Sequence, residues 1–227
     1  MSNELLWVSW IIINFIMITI SYKLFGKTGL FIWIAFGTVL ANIQVTKNIE
    51  LFGFEATLGN IMYGTLFLVT DSIGEMFGYE ESKKAVKIGF FTLISTVIIM
   101  QIALVFTPTV WDEGHAALNY TFGLIPRIAL GSIIAYLISQ FLDINLFIRI
   151  KNRFPDNKYL WLRNNGSTII SQLIDTLIFV PIAFLGVYDF SIVVSIFFTT
   201  YLFKVLVAFA DTPFIYWIKK IKPLSEN

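Results

Sequence analysis

The chain has 227 residues, 57% of them hydrophobic and 14% charged, and its 16 Lys and Arg against 15 Asp and Glu give a net charge of +1. This composition excludes the basic excess of a nucleic-acid binder and the polar surface of a soluble globule, and it leaves no length for a separate soluble domain. Zero cysteines exclude disulfides, thiolate metal sites and iron–sulfur clusters.

Seven apolar stretches follow in chain order, at about 5–22, 30–46, 58–77, 86–107, 123–148, 165–187 and 190–217. Hydrocarbon offers free backbone groups no partner, so runs of about 20 apolar residues are expected to be membrane-spanning helices. The expected fold is all-α: one integral membrane domain over 1–227, a polytopic bundle of about seven transmembrane helices, with six as the alternative count. Met1 to Leu6 lack the basic stretch of a signal peptide, so the first apolar run is expected to be a retained span.

Lys23 and Lys27 fall in the first connection, Lys83, Lys84 and Lys87 in the third, Arg149, Lys151, Arg153, Lys158 and Arg163 in the fifth, and Lys219, Lys220 and Lys222 in the tail. The alternate connections hold only Lys47. The positive-inside rule then puts the amino terminus outside and the carboxyl terminus inside, which requires an odd number of spans.

Chemistry outside the spans is scarce. Gly26-Lys27-Thr28 resembles the end of a phosphate-binding loop, but the required upstream glycine would fall at Ser21 and no strand precedes it. Hydrolase motifs are lacking, so no enzyme and no cofactor is expected. The single His115, beside Asp112 and Glu113 in the fourth connection, reads as a solvated loop residue rather than a metal ligand.

Ionisable side chains inside a span cost about 2.5 to 3.5 kcal/mol each, so each needs a partner, a wet cavity or a role. Asp71 and Glu75 in span three are four residues apart, which stacks them on one helix face as a proton- or substrate-binding pair. The structural alternative has Glu75 reaching water and bonding Lys83 or Lys84. Spans five and six share a pattern, Ser139-Gln140-x-x-Asp143-x-x-x-Phe147 and Ser171-Gln172-x-x-Asp175-x-x-x-Phe179. Each copy presents a hydroxyl, an amide, a carboxylate and a ring along one helix face, and consecutive spans run oppositely, which makes this a candidate inverted-repeat element. The bland reading is interhelical hydrogen bonding alone.

Span seven contributes Tyr201, Lys204, Asp211 and Pro213. Lys204 is placed to neutralise Asp175 or Asp71, and Asp211-Thr212-Pro213 to mark a break or kink. Arg127, near the outer end of span five, is suited to snorkelling or charge compensation. Trp7, Trp10, Tyr22, Trp111, Trp161 and Trp217 fall near expected interfaces. Trp161 also precedes the polar run Arg163-Asn164-Asn165-Gly166-Ser167-Thr168, which could bind substrate or cap span six. Small residues from Gly123 to Gly131 permit helix contact but specify no oligomer, and a homodimer is one expected state.

The stretch Ala41-Asn42-Ile43 with Lys47, then Leu51-Phe52-Gly53, then Thr70-Asp71 with Glu75 and Gly78, resembles the YhhQ family of queuosine precursor transporters, also called the vitamin uptake transporter family. Arg127, Ser139-Gln140 with Asp143 and Phe147, Trp161, Ser167-Thr168, Asp175-Thr176 with Phe179, and Phe203-Lys204-Val205 extend the resemblance from about Asn42 to Pro213. It departs at Tyr63-Gly64, where members often carry Pro; Gly59 and Gly64 remain as candidate break points.

The resemblance implies import of deazaguanine bases, 7-cyano-7-deazaguanine and 7-aminomethyl-7-deazaguanine, across a bacterial cytoplasmic membrane for queuosine salvage. A guanine-like edge offers adjacent N–H donors that a carboxylate accepts as a pair, with Asp175 the first choice. Gln172 would meet the neighbouring carbonyl, and Phe179 or Trp161 would stack. Asn42, Asp71, Gln140, Asp143 and Tyr201 complete the expected substrate set, and Glu75, Lys204, Arg127 and Asp211 the set for charge compensation or coupling. The expected partners are a small-molecule base and the lipid bilayer. Competing readings are a substrate-capture subunit of an ATP-driven importer, a transporter of another nucleobase-like or vitamin-like compound, an intramembrane enzyme, and a channel lined by the acids.

Overall fold

A computed structural model of the protein describes residues 2–123, 126–186 and 188–224, and at 48, 55, 57 and 126–129 the backbone alone. The helices are α1 (Asn3–Gln44), α2 (Gly59–Phe77), α3 (Tyr79–Val105), the short α4 (Gly114–Leu118), α5 (Pro126–Arg153), α6 (Leu160–Phe184) and α7 (Phe190–Ile218). All but α2 and α4 are long and apolar enough to cross a membrane. Ile13, Phe25, Ile32, Ile99, Phe198 and Phe209 are exposed on their outer faces. Such outward apolar side chains suit a bundle whose solvent is hydrocarbon.

The first two expected spans are the two arms of α1, which folds back on itself at Gly26. Gly26 has φ 57° and ψ −141°, backbone angles that a side chain disfavours. Beside the bend, Ser21 Oγ donates to the Gly29 carbonyl at 3.0 Å, and a Cβ on Gly29 would overlap the Ser21 carbonyl oxygen. The two arms are therefore pressed together where the chain reverses.

The third expected span is α2, of 19 residues, about 28 Å long at 1.5 Å per residue. It runs through the middle of the bundle, against α1, α3, α5, α6 and α7, and residues 64–75 are all buried. A helix enclosed by protein needs no lipid-facing stripe, so α2 can carry Thr65, Thr70, Asp71, Ser72 and Glu75. No break occurs at Gly59 or Gly64. Gly64 instead lets α2 close on α7, since a Cβ there would lie 2.5 Å from Val207 Cγ1. Gly64→Leu is expected to push the two helices apart at a cost of about 1–3 kcal/mol, read as a lower unfolding temperature in detergent.

Two other expectations need correction. Helix α7 continues through Pro213 without interruption; Asn164 Nδ2 donates to Asp211 and Asn165 Nδ2 to Thr212 Oγ1, both at 2.6 Å, and hold that turn against α6. Helix α6 starts at Leu160, directly after a tight turn at Asn157–Tyr159, so the polar run from Arg163 to Thr168 lies inside the helix, and Arg163, Asn164, Asn165, Ser167 and Thr168 are buried. The small-residue stretch from Gly123 to Gly131 lies partly outside the described residues. Its last member packs within the chain, where a Cβ on Gly131 would be 3.0 Å from Ile182 Cγ2.

Among the described residues the non-helical element is a two-stranded hairpin. Strands β1 (Asn48–Leu51) and β2 (Phe54–Thr57) form an antiparallel hairpin in which Ile49 pairs with Ala56 and Leu51 with Phe54. Phe52 and Gly53 have φ of 52° and 79°, the positive pair that a tight two-residue hairpin turn requires. The hairpin docks through buried Leu51. Asn3 Nδ2 donates to the Glu50 carbonyl, and the Phe52 N–H to Glu4 Oε1.

The two ends of the bundle differ chemically. The Gly26 bend, the α2–α3 turn, the α5–α6 connection and the end of α7 gather at one end, where Lys27 pairs with Glu81 at 3.3 Å and Lys219 with Glu75. The start of α1 and the hairpin occupy the other. The fourth connection is short helical turns in which Asp112 Oδ1 accepts from the N–H of Gly114 and His115.

Candidate functional site

A cavity of about 300 Å³ runs from the middle of the bundle to the hairpin end, where Val45, Ala56 and Tyr188 line it. That volume is at the lower end of small-ligand pockets, roughly 300–1,000 Å³. Its floor is built around Asp175 of α6. Asp175 Oδ1 accepts from Tyr63 of α2 at 2.9 Å and from Ser139 of α5 at 3.0 Å. Asp175 Oδ2 is paired with Lys204 of α7. The Lys204 ammonium also stands 5.1 Å from the centre of the Tyr63 ring. Four helices thus meet on one carboxylate, a buried ion pair supported by two further hydrogen bonds to the carboxylate.

The shared pattern of spans five and six becomes geometry here. Ser139 of α5 donates to Asp175 of α6, and Ser171 of α6 donates to Asp143 of α5, both at 3.0 Å. Each copy's serine serves the other copy's aspartate, as expected of two antiparallel helices related by a local twofold. The two aspartates nevertheless differ in function-bearing contacts. Asp175 meets a lysine at the cavity; Asp143 is fully buried off it, and its Oδ2, like Asp71 Oδ1, has no hydrogen-bond partner among the described residues. Thr168 donates to Asp71 Oδ2 at 3.3 Å. Among the described residues no Lys, Arg or His bonds Asp71, Asp143 or Asp211.

At the basic end, Glu75 is a hub. Arg163 grips it with two bonds, Nε to Oε2 at 2.9 Å and Nη2 to Oε1 at 2.7 Å, and Arg163 Nη1 reaches the carbonyls of Phe154 and Asp156. Lys219 binds Glu75 Oε1 at 2.5 Å. Lys151 binds the carbonyls of Gly74 and Glu75 at 2.9 and 2.6 Å, capping the end of α2. The cluster ties α2, α5, α6 and the end of α7 together and closes this end beneath the cavity. Lys83 and Lys84, the partners expected for Glu75, do not bond it and instead stand over the rings of Tyr79 and Phe31. Asp71 and Glu75 share a face but not an environment.

Of the residues expected to bind substrate, Asp175, Asn42 and Phe179 line the cavity. Asp71, Asp143 and Gln140 lie deeper, where Gln140 Oε1 accepts from Thr70 at 3.3 Å. Gln172 is fully enclosed off the cavity wall. Trp161 is half-exposed at the basic end, its backbone N–H donating to the Tyr216 hydroxyl. The Tyr201 hydroxyl turns to the Ile169 carbonyl at 3.3 Å. Of the compensating set, Lys204 reaches the cavity, Glu75 and Asp211 do not, and the Arg127 side chain lies outside the described residues.

Sequence reasoning does not single out Tyr63 or Asn60 for the site, and it places Arg163 only in the polar run at the entry to span six. Arg163 continues the four-residue spacing of Ser171 and Ser167 backwards along α6, and Tyr63 stands two turns before Asp71 on α2. Those spacings were the available signals.

A helical membrane bundle enclosing a solute-sized cavity with a paired charge at mid-depth is the build of a small-molecule transporter. Residues 57–218 match the family model described as "Putative vitamin uptake transporter", and the chain belongs to that family. It is 48% identical to the "Probable queuosine precursor transporter" of Bacillus subtilis (strain 168) over 100% of this chain and 99% of that protein. It is 30% identical to the "Queuosine precursor transporter" of Escherichia coli (strain K12) over 63% of this chain and 62% of that one. No solved structure matches the chain.

Proposed function

We propose that this protein imports queuosine precursors, the planar bases 7-cyano-7-deazaguanine and 7-aminomethyl-7-deazaguanine, across a bacterial cytoplasmic membrane by secondary transport. The observation that carries the reading is the cavity with Asp175, Lys204, Tyr63 and Ser139 at its floor, open to one end of a membrane bundle and closed at the other by the Glu75 cluster. The names of the relatives support the substrate class. The two arms of α1 with α2, α3, α5, α6 and α7 make seven membrane passes. The basic end faces the cytoplasm by the positive-inside rule, so the amino terminus is outside, the carboxyl terminus inside and the cavity outward-facing.

Asp71 and Asp143 supply the coupling site in this reading. Both carboxyls are buried, Asp71 Oδ1 and Asp143 Oδ2 have no hydrogen-bond partner among the described residues, and the side chains that bond them are Thr168 and Ser171 rather than cations. A gradient of one pH unit is worth about 1.4 kcal/mol, or tenfold accumulation. Asp143→Asn is expected to abolish that accumulation and the dependence of uptake on an imposed pH gradient, measured with labelled base in sealed vesicles.

The reading is tested in bacteria unable to make deazaguanines, by uptake of each labelled base with and without this protein. Uptake that appears with the protein alone supports it. Uptake that requires a separate ATPase would replace it with the capture-subunit reading.

A further inference from the structure

Between the cavity floor and the basic end, one stripe of α6 meets a buried acid at every turn. Asn164, Thr168, Ser171 and Asp175 follow at spacings of four, three and four residues, which puts them on one helix face. Asn164 Nδ2 donates to Asp211 Oδ1 of α7 at 2.6 Å, Thr168 to Asp71 Oδ2 of α2 at 3.3 Å and Ser171 to Asp143 Oδ1 of α5 at 3.0 Å, and Asp175 is the acid at the cavity. At 1.5 Å per residue the stripe covers about 16 Å of helix. It ends at Asn164, next to Arg163 of the Glu75 cluster.

Asp211 is the acid of this series that neither the cavity nor the coupling site uses. It is buried on α7, which packs on α1, α2, α6 and β2. The ionisable groups around it are Asp71 and Glu75 on α2, Asp143 and Lys151 on α5, Arg163 on α6, and Lys204 and Lys219 on α7 itself. Helix α1 buries no Asp, Glu, Lys, Arg or His, and the hairpin lies at the opposite end. The cations are committed elsewhere, Lys204 to Asp175 and Arg163, Lys151 and Lys219 to Glu75. Asn164 is fully buried, and its Oδ1, on the amide that holds Asp211, has no donor among the described residues. An orphaned acceptor beside a carboxyl without a cation is a place for a proton-bearing donor, either the O–H of the protonated acid or a water.

We infer that Asp211 is the proton-release station on the cytoplasmic side of Asp71 and Asp143, held in line by Asn164. The inference rests on the proposed coupling reading and extends it. A proton carried in on Asp71 or Asp143 passes to the Asp211 carboxylate through the Thr168 hydroxyl or a water, which leaves the donor ionised and Asp211 neutral. When the Glu75 cluster opens, water takes that proton and the Asp211 carboxylate is restored. Asp211 acts on the proton without touching the base.

The test uses purified full-length protein in sealed liposomes with labelled 7-cyano-7-deazaguanine and two readouts. One is accumulation driven by an imposed pH gradient, acid outside, which requires the proton to leave inside. The other is exchange of labelled for unlabelled base at equal pH, which does not. Asp211→Asn is nearly isosteric, keeps an oxygen for Asn164 Nδ2 and cannot take up a proton. It is expected to lower accumulation from about tenfold per pH unit to none, with exchange at the wild-type rate, and Asp211→Glu to restore part of the accumulation. Wild-type accumulation by Asp211→Asn overturns the inference, and leaves the coupling reading intact if Asp143→Asn loses it. Loss of exchange together with accumulation in Asp211→Asn, with no recovery in Asp211→Glu, makes Asp211 structural and overturns the inference too. Absence of pH-driven accumulation in wild type removes the coupling reading, and the inference with it.

Discussion

Asp175→Asn is expected to abolish uptake, lowering it at least about 100-fold at normal membrane levels. Breaking a buried ion pair by removing one partner costs about 3–5 kcal/mol, which as lost affinity is a factor of about 10² to 10⁴. The change also weakens the acceptor for Tyr63 and Ser139, so the cavity floor loses its shape as well as its charge. Lys204→Gln leaves the carboxylate with only its neutral donors Tyr63 and Ser139, and each single variant should unfold more easily than wild type. The double variant Asp175→Asn with Lys204→Gln removes both charges, and its unfolding temperature is expected to return towards wild type while uptake stays absent. That separation of stability from transport, read by thermal unfolding in detergent beside an uptake assay, distinguishes a working ion pair from a structural one.

Glu75→Gln should open the basic end. It leaves Arg163, Lys151 and Lys219 facing a neutral amide, with Arg163 fully buried. The expected cost is again about 3–5 kcal/mol, discounted for Lys219, whose side chain is 36% exposed. The absence of cysteine makes the chain its own background for a reporter. Ser167→Cys, buried on α6 one turn beyond Arg163, is expected to resist a membrane-impermeant maleimide from the basic side in otherwise wild-type protein. With Glu75→Gln added it should react. Equal labelling rates in the two backgrounds would mean the cluster is not a gate. Arg163→Lys should fall between, since it keeps the charge and loses the two-pronged grip.

Hydropathy made the membrane bundle legible because a lipid-facing helix has to be apolar along its whole length. It could not show the hairpin, a short alternation of Ile49, Leu51, Phe54 and Ala56 that looks like a loop between long apolar runs. Nor could it place α2 at the centre, because a helix enclosed by its own chain and a helix facing lipid both read as apolar. The repeated Ser-Gln-x-x-Asp pattern did show in sequence that α5 and α6 act as a pair. Which of its aspartates meets the cavity depends on Lys204 and Tyr63, which approach from other helices and which no local pattern places. Arg163 falls before the apolar run of span six, yet α6 begins at Leu160, because its first turns are polar and buried among protein rather than lipid. A helix boundary misplaced by one turn was enough to hide the partner of Glu75.

The most direct test of the central claim uses purified protein alone in sealed liposomes. Labelled 7-cyano-7-deazaguanine should enter vesicles holding the wild-type chain, saturably and without ATP or any second protein, and should not enter vesicles holding Asp175→Asn. Wild-type vesicles no more permeable to the base than empty ones, with the protein folded and inserted, would contradict transport by this chain. Equal entry through the Asp175→Asn variant would contradict the assignment of the site.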